Sequence, residues 1–256
     1  MKIENYGVGE RYKETLCALL DYEQSGRMPP SLSRALIMPI PTSRDGVHIS
    51  GSALTLDELF SDLGEGDAVF GYGIPKEKRT ALESVGAHVF DAEEDEAFLS
   101  ENAFLTALGT LGYILTEFDR VPGDITFGIV GYGRIGRELC RILLFFGARV
   151  RIYTSRELTR LELGECGVET VHTDYITPLV LSSVDVLINT APTDLSASFP
   201  DGRLHGGIRV LELASGENFP GVEGVERLMS LPGKMYARSA ALAYFRAIEK
   251  YLNEVF

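Results

Sequence analysis

Glycines 131, 133 and 136 lie in the run ITFGIVGYGRIG, have the spacing G-x-G-x-x-G and follow a β-branched apolar stretch. A strand that empties into glycines and then into a helical pattern delivers a pyrophosphate to a helix N-terminus, where backbone N–H groups and the helix dipole favour negative charge. In that role Gly131 permits the tight turn, Gly133 lets the backbone approach the phosphates, and Gly136 lets the helix pack closely on its strand. Tyr132, Arg134 and Ile135 complete the loop, and Arg134 offers it a cation. The next strand, VRIY, runs into Thr154, Ser155 and Arg156 with no acid at its tip. A carboxylate there would accept from a ribose 2′-hydroxyl, whereas two hydroxyls and a guanidinium suit a 2′-phosphate. The tip therefore favours NADP(H), with NAD(H) kept open. Asn189, Thr190, Ala191 and Pro192 follow a later strand and are expected on the nicotinamide side.

These residues need a regular frame. From residue 125 the pattern predicts strands over 125–130, 149–153, 169–172, 184–190 and 209–213, with helices over 135–146, 158–166 and 176–182 between them. Strands alternating with helices specify a doubly wound parallel sheet, a Rossmann domain. The first hundred residues read as a smaller α/β domain: a helix over 13–24, the strand 35–40 emptying into PTSRDG, a helix capped by Thr55, and strands over 68–72 and 88–90. The largely apolar stretch 101–118 predicts a helix joining the two. The expected organisation is a substrate-side domain over 1–100, the linking helix over 101–118, the dinucleotide-binding domain over 119–235, and a C-terminal helix over 236–256. That last helix either returns to the first domain or faces another subunit.

Composition narrows the partners. A net charge of −13 over 256 residues argues against nucleic acid and anionic membrane surfaces. No uncharged apolar run approaches a membrane span and no signal-peptide h-region opens the chain, so a cytoplasmic protein is expected. Cys17, Cys140 and Cys166 show no C-x-x-C spacing and are expected as reduced core thiols. The acidic run 91–96 has no accompanying histidine and reads as a solvated loop or helix start, so no metal site is expected. Among the histidines, His88 and His172 fall in predicted strands, leaving His205 as the better placed general base.

Several short motifs in order, IMPIPTSRDGV, NAFLTALG from Asn102, GIVGYGRIGREL, the TSR tip, DVLINTAP, LELAS and LPG, resemble the A subunit of dipicolinate synthase over most of the chain. The resemblance implies a spore-forming bacterium's oxidoreductase that converts a dihydrodipicolinate-type precursor to pyridine-2,6-dicarboxylate. It also implies a small dicarboxylate substrate and a flavoprotein-like second subunit; a homo-oligomer is expected as well. Carried onto this chain, it assigns substrate contacts to Ser43, Arg44, Asn102 and Thr106. Catalytic roles fall to Ser215, Arg238 and Ser239, the last two where the family has a Lys-Thr pair. The chain departs from the family in three places. No strand is expected before GVGER, Leu108 stands where the family has a glutamate, and Gly216 stands where it has an arginine. A nucleotide-binding protein without turnover, serving as a sensor or assembly component, is the alternative these departures raise. A D-2-hydroxy-acid dehydrogenase, similar in layout, would need an Arg and a His meeting over the nicotinamide.

Overall fold

In the computed structural model, which describes residues 1–256, four strands near the N-terminus pair in parallel in chain order. They are β1 (Lys2–Asn5), β2 (Arg34–Ile37), β3 (Asp67–Gly71) and β4 (His88–Asp91), joined by α1 (Glu10–Gln24), α2 (Leu56–Phe60) and α3 (Lys76–Ser84). The 22-residue helix α4 (Glu96–Glu117) follows. Six further parallel strands are β5 (Thr126–Val130), β6 (Arg149–Tyr153), β7 (Glu169–Val171), β8 (Val186–Asn189), β9 (Arg209–Glu212) and β10 (Glu226–Arg227). Their helices are α5 (Arg134–Phe145), α6 (Glu157–Glu165) and α7 (Pro178–Leu181), and α8 (Leu231–Met235) and α9 (Ala237–Val255) close the chain. Two units result: unit 1 is Met1–Asn102 with Pro232–Phe256, and unit 2 is Ala103–Leu231.

In unit 1 the strand alternation sorts the core into two layers. Ala35, Ile37, Ala68 and Phe70 face α1 and α9, while Leu36, Met38, Val69 and Val89 face α2 and α3. The β1–β2 connection thus crosses on the opposite face from the next two and has the opposite hand. α9 is held to this unit by the Tyr244 hydroxyl, which donates to the Phe70 carbonyl at 2.7 Å, and by Lys250 on Asp95 at 3.0 Å. On α1, Tyr22 donates to Asn253 at 3.2 Å, and Arg27 just beyond it pairs with Glu249 at 2.9 Å.

Four expectations are corrected here. A strand does precede GVGER: β1 pairs with β2, Ile3 opposite Ala35. Its sequence, KIEN, has one strongly apolar residue because it is a half-covered edge strand. The acidic run is not wholly solvated. Asp91 is buried and accepts from the Gly73 and Ile74 amides at 2.8 and 2.7 Å, and buried Asp95 accepts from the Phe98 amide in the first turn of α4 at 2.7 Å. That interaction starts α4 at Glu96, five residues before the expected 101. Finally, only Cys140 is a core thiol, its pKa pushed up to about 11 by burial, whereas Cys17 and Cys166 are exposed.

Unit 2 has the strand order β10-β9-β8-β5-β6-β7. Chain order reverses between β5 and β8, so crossovers leave those neighbours in opposite directions and open a crevice at their C-terminal ends. Its core packs Ile125, Phe127 and Ile129 of the central strand region against Leu139 and Leu143 of α5 and against Ala107, Leu111 and Ile114 of α4. No helix of the chain is long and apolar enough to cross a membrane.

On β1, Glu4 accepts from Arg34 and from the Tyr6 hydroxyl, and the Arg34 hydrogen bond holds its pKa down at about 2. The folded value lies below the unfolded one, so this stabilisation is complete above the ordinary carboxylate range and is lost as pH falls towards 2. Glu4→Gln should cost about 1 kcal/mol at neutral pH and nothing near pH 2. Denaturant melts at the two pH values check this; an equal deficit at both would refute it.

Candidate functional site

β5 runs into Gly131, where φ is +89° and the amide donates to the Tyr153 carbonyl at 2.8 Å. A side chain at Gly136 would put its Cβ 2.3 Å from the Gly131 carbonyl oxygen, so the first turns of α5 press directly on the turn. Gly133 differs from both. It is the N-cap of α5, has no side-chain cap, and a Cβ there would meet nothing within 4 Å. The result is a helix N-terminus opening on bare backbone, the arrangement a pyrophosphate needs. Arg134 is exposed in the first turn of α5, Ile135 packs on the core, and the Arg137 guanidinium lies 5.6 Å from the Tyr132 ring centre.

The 189–192 segment rests on this turn from the other side of the crevice. Thr190 donates to the Val130 carbonyl through its amide at 2.9 Å and its hydroxyl at 2.8 Å. Asn189 is fully buried. Its side-chain amide donates to both oxygens of Glu212, at 3.1 and 3.2 Å, while its own oxygen accepts from the Ala191 amide at 3.2 Å. Glu212 also accepts from the Ala214 amide at 2.7 Å, and burial pushes its pKa up. Asn189 therefore braces the ends of β8 and β9, leaving Ala191 and exposed Pro192 to line the crevice. Ser215 sits exposed just beyond the brace, and the Asn218 side chain donates to its carbonyl at 3.2 Å.

At the tip of β6 the three predicted residues divide their work. Thr154 is buried, and its hydroxyl accepts from the Arg156 amide at 3.3 Å, closing the turn. Ser155 and Arg156 are exposed, with Arg156 at the N-cap of α6. Arg160, which sequence reasoning passed over, donates to the Thr154 carbonyl at 3.2 Å and brings a second guanidinium to the same tip. Its signal was the i, i+4 spacing from Arg156 on a predicted helix.

The remaining predicted residues fall in different places. Ser43 and Arg44 lie in the loop after β2, where the Ser43 hydroxyl donates to Asp45 at 3.1 Å and Arg44 is exposed. Asn102 and Thr106 share α4, a turn apart, but Asn102 belongs to unit 1 and Thr106, which is buried, to unit 2. Arg238 and Ser239 are exposed at the start of α9 in unit 1, and Arg238 faces Glu14 at 3.9 Å. His205 precedes β9 and so stands at the end of the sheet opposite the glycine turn. It is bound to Asp201 at 2.6 Å and rims a cavity of about 110 Å³ lined by Leu181, Val184, Phe199 and Ile208.

No protein-family model matches the chain, and no curated protein sequence matches it. Solved structures do. The dipicolinate synthase A protein from Bacillus halodurans is 18% identical, with a TM-score of 0.74 over 98% of this chain and 97% of that one. Its counterpart in the dipicolinate synthase from Bacillus subtilis is also 18% identical, with a TM-score of 0.71 over 99% and 96%. The transhydrogenase from Sinorhizobium meliloti is 16% identical, with a TM-score of 0.64 over 99% and 94%. The chain shares their two-part α/β fold along its whole length.

The glycine geometry separates stability from binding. Gly136→Ala forces a backbone clash and should lower the melting temperature by several degrees, about 1–3 kcal/mol. Gly133→Ala should melt like the wild type while weakening dinucleotide binding about tenfold, as read by nucleotide titration and calorimetry. Equal melting temperatures for the two variants would refute this assignment.

Proposed function

We propose that the chain is an NADP(H)-dependent oxidoreductase acting on a small cyclic dicarboxylate of the dihydrodipicolinate type. The observation that carries the cofactor is the pairing of an uncapped α5 N-terminus, bare at Gly133, with Ser155, Arg156 and Arg160 at the tip of the adjacent strand. The first suits a pyrophosphate. The second offers two guanidinium groups and a hydroxyl where a 2′-phosphate would lie, with no carboxylate at the strand end itself to repel it. When bound, the nicotinamide supplies a hydride acceptor.

The chain's own share is positioning. The Thr190 hydroxyl and amide fix the segment that carries Ala191 and Pro192, and the Asn189–Glu212 brace fixes the ends of β8 and β9 beneath them. Aromatisation of a dihydropyridine ring provides much of the driving force, so placement contributes more than a strong base. The substrate class rests on the shared fold and on the order of motifs from IMPIP to LPG. Self-association and a flavoprotein-like second subunit belong to the same reading.

One observation favours a second reading, a protein that binds nucleotide without turnover. Gly216, where the resembled family has an arginine, has φ of +97°, a conformation an arginine would rarely adopt. Supplying dihydrodipicolinate precursor and NADP⁺ distinguishes the two, since the first reading predicts growth of NADPH absorbance and the second predicts none.

Charge at the strand tip gives the sharper test. Arg156→Ala and Arg160→Ala should each raise the Kd for NADPH about tenfold and leave that for NADH within about twofold. Fluorescence titration of both nucleotides reads this directly. Equal losses for NADH and NADPH would place these arginines outside a 2′-phosphate site.

A further inference from the structure

Arg11, the second residue of α1, is 6% exposed and has no carboxylate partner. Its guanidinium lies 5.7 Å from the Phe98 ring centre and 6.0 Å from that of Tyr244. One terminal nitrogen donates to the Asn102 side-chain oxygen at a long 3.4 Å, and Nε has no acceptor. Acids on the surrounding helices are engaged elsewhere: Glu10 with Lys13, Glu14 facing Arg238, Asp95 with Lys250 and Glu101 with Arg246. Burial lowers the pKa of Arg11. An arginine stays protonated even so, which leaves a buried cation balanced only by ring faces and one amide.

The backbone around Arg11 suits an anion. The N-cap of α1 is Gly9, with φ of +108° and no side-chain cap, and the one acid of the first turn, Glu10, is exposed and paired with Lys13. Gly7 lies so close to Tyr12 that a Cβ there would stand 2.2 Å from the ring, and the Tyr12 hydroxyl is fixed by accepting from the Ile40 amide at 2.7 Å. A planar guanidinium beside two aromatic rings that also pack on each other, oriented by an amide and set in the first turn of a helix, matches the geometry of a carboxylate.

We infer that Arg11 anchors a carboxylate of an organic acid in unit 1, with Asn102 orienting the guanidinium and the α1 N-terminus adding charge complementarity. This deepens the proposed function, since it rests on that reading for the identity of the acid as the cyclic dicarboxylate substrate. It accounts for the absence of an internal counter-charge, because a carboxylate from the protein would compete with the ligand for the same donors. Arg238 and Arg44, both exposed, carry no such signature.

The test is calorimetric titration of the whole protein, saturated with NADP⁺, with pyridine-2,6-dicarboxylate, pyridine-2-carboxylate, malonate and succinate, using the wild type, Arg11→Lys and Arg11→Met. The expected result is that Arg11→Lys weakens the tightest of these acids about tenfold and Arg11→Met about thirtyfold or more, with NADPH affinity held within about twofold. Ligand-free Arg11→Met should melt at or above the wild-type temperature, because an unpaired buried charge is replaced by an apolar chain of similar length. Acid affinity unchanged in Arg11→Lys and Arg11→Met, or no binding of any of the acids by the wild type, would overturn the inference. So would an Arg11→Met protein that unfolds while Arg11→Lys binds the acids like the wild type, since Arg11 would then be a structural cation. Binding of malonate or succinate that depends on Arg11, with no binding of the pyridine acids, would support the anchor and overturn only the substrate reading. Loss of NADPH binding by the wild type would overturn the cofactor reading alone; the acids are then titrated without nucleotide and judged by the same criteria.

Discussion

The contact between Gly136 and the Gly131 carbonyl is the constraint on which unit 2 depends. A helix that starts this close to the strand feeding it can have no side chain at the point of contact, and a Cβ at Gly136 would sit 2.3 Å from the carbonyl oxygen. With that approach fixed, the N-terminus of α5 must open at the C-terminal end of β5, where the strand order reverses beside β8. The crevice, the exposure of Gly133 and the position of the 189–192 segment then follow from chain connectivity. Thr190 closes the arrangement by bonding to the last carbonyl of β5 from the facing strand. The site is thus set by backbone packing, and its side chains tune what the backbone has already shaped.

Buried polar groups show two opposite solutions. Glu212 is 1% exposed, yet Asn189 and the Ala214 amide donate to its oxygens, so a carboxylate in an apolar setting is supplied with donors from its own chain. Removing any one partner would leave the others unmatched, which is why such a cluster behaves as a structural brace. Asp91 and Asp95 follow the same rule, each accepting from backbone amides at a turn or helix start. Arg11 does not: its burial is matched by rings and a long bond to Asn102. Within one fold, the contrast separates buried groups whose donors and acceptors are matched internally from a buried cation that has no internal counter-charge.

Legibility in the sequence followed the range of the interactions involved. The glycine turn, the strand alternation after residue 125 and the absence of an acid at the β6 tip are local features, and local reading found them. β1 was hidden because an edge strand with one covered side needs little apolar sequence, and KIEN supplies little. Asp91 and Asp95 looked like solvated charge because their partners are backbone amides, which no side-chain pattern reveals. The position of His205 depends on which end of a strand it precedes, a topological fact that residue type does not carry. Arg11 was within reach: Leu19 and Tyr22 mark the buried stripe of α1, and stepping back by helical turns passes through Thr15 to Arg11.

That stripe also bears on the chain's acidity. A protein with 37 acidic and 24 basic residues repels small anions at long range, so a surface arginine among acids offers an anion little. Arg238 is such a residue, exposed and facing Glu14. A guanidinium withdrawn from solvent behaves differently, because screening is weak there and each donor is worth more to a ligand that desolvates with it. In an acidic chain, selectivity for a carboxylate therefore belongs to buried cations without internal partners, and the same logic that makes such a charge costly to the empty fold makes it effective once an anion arrives.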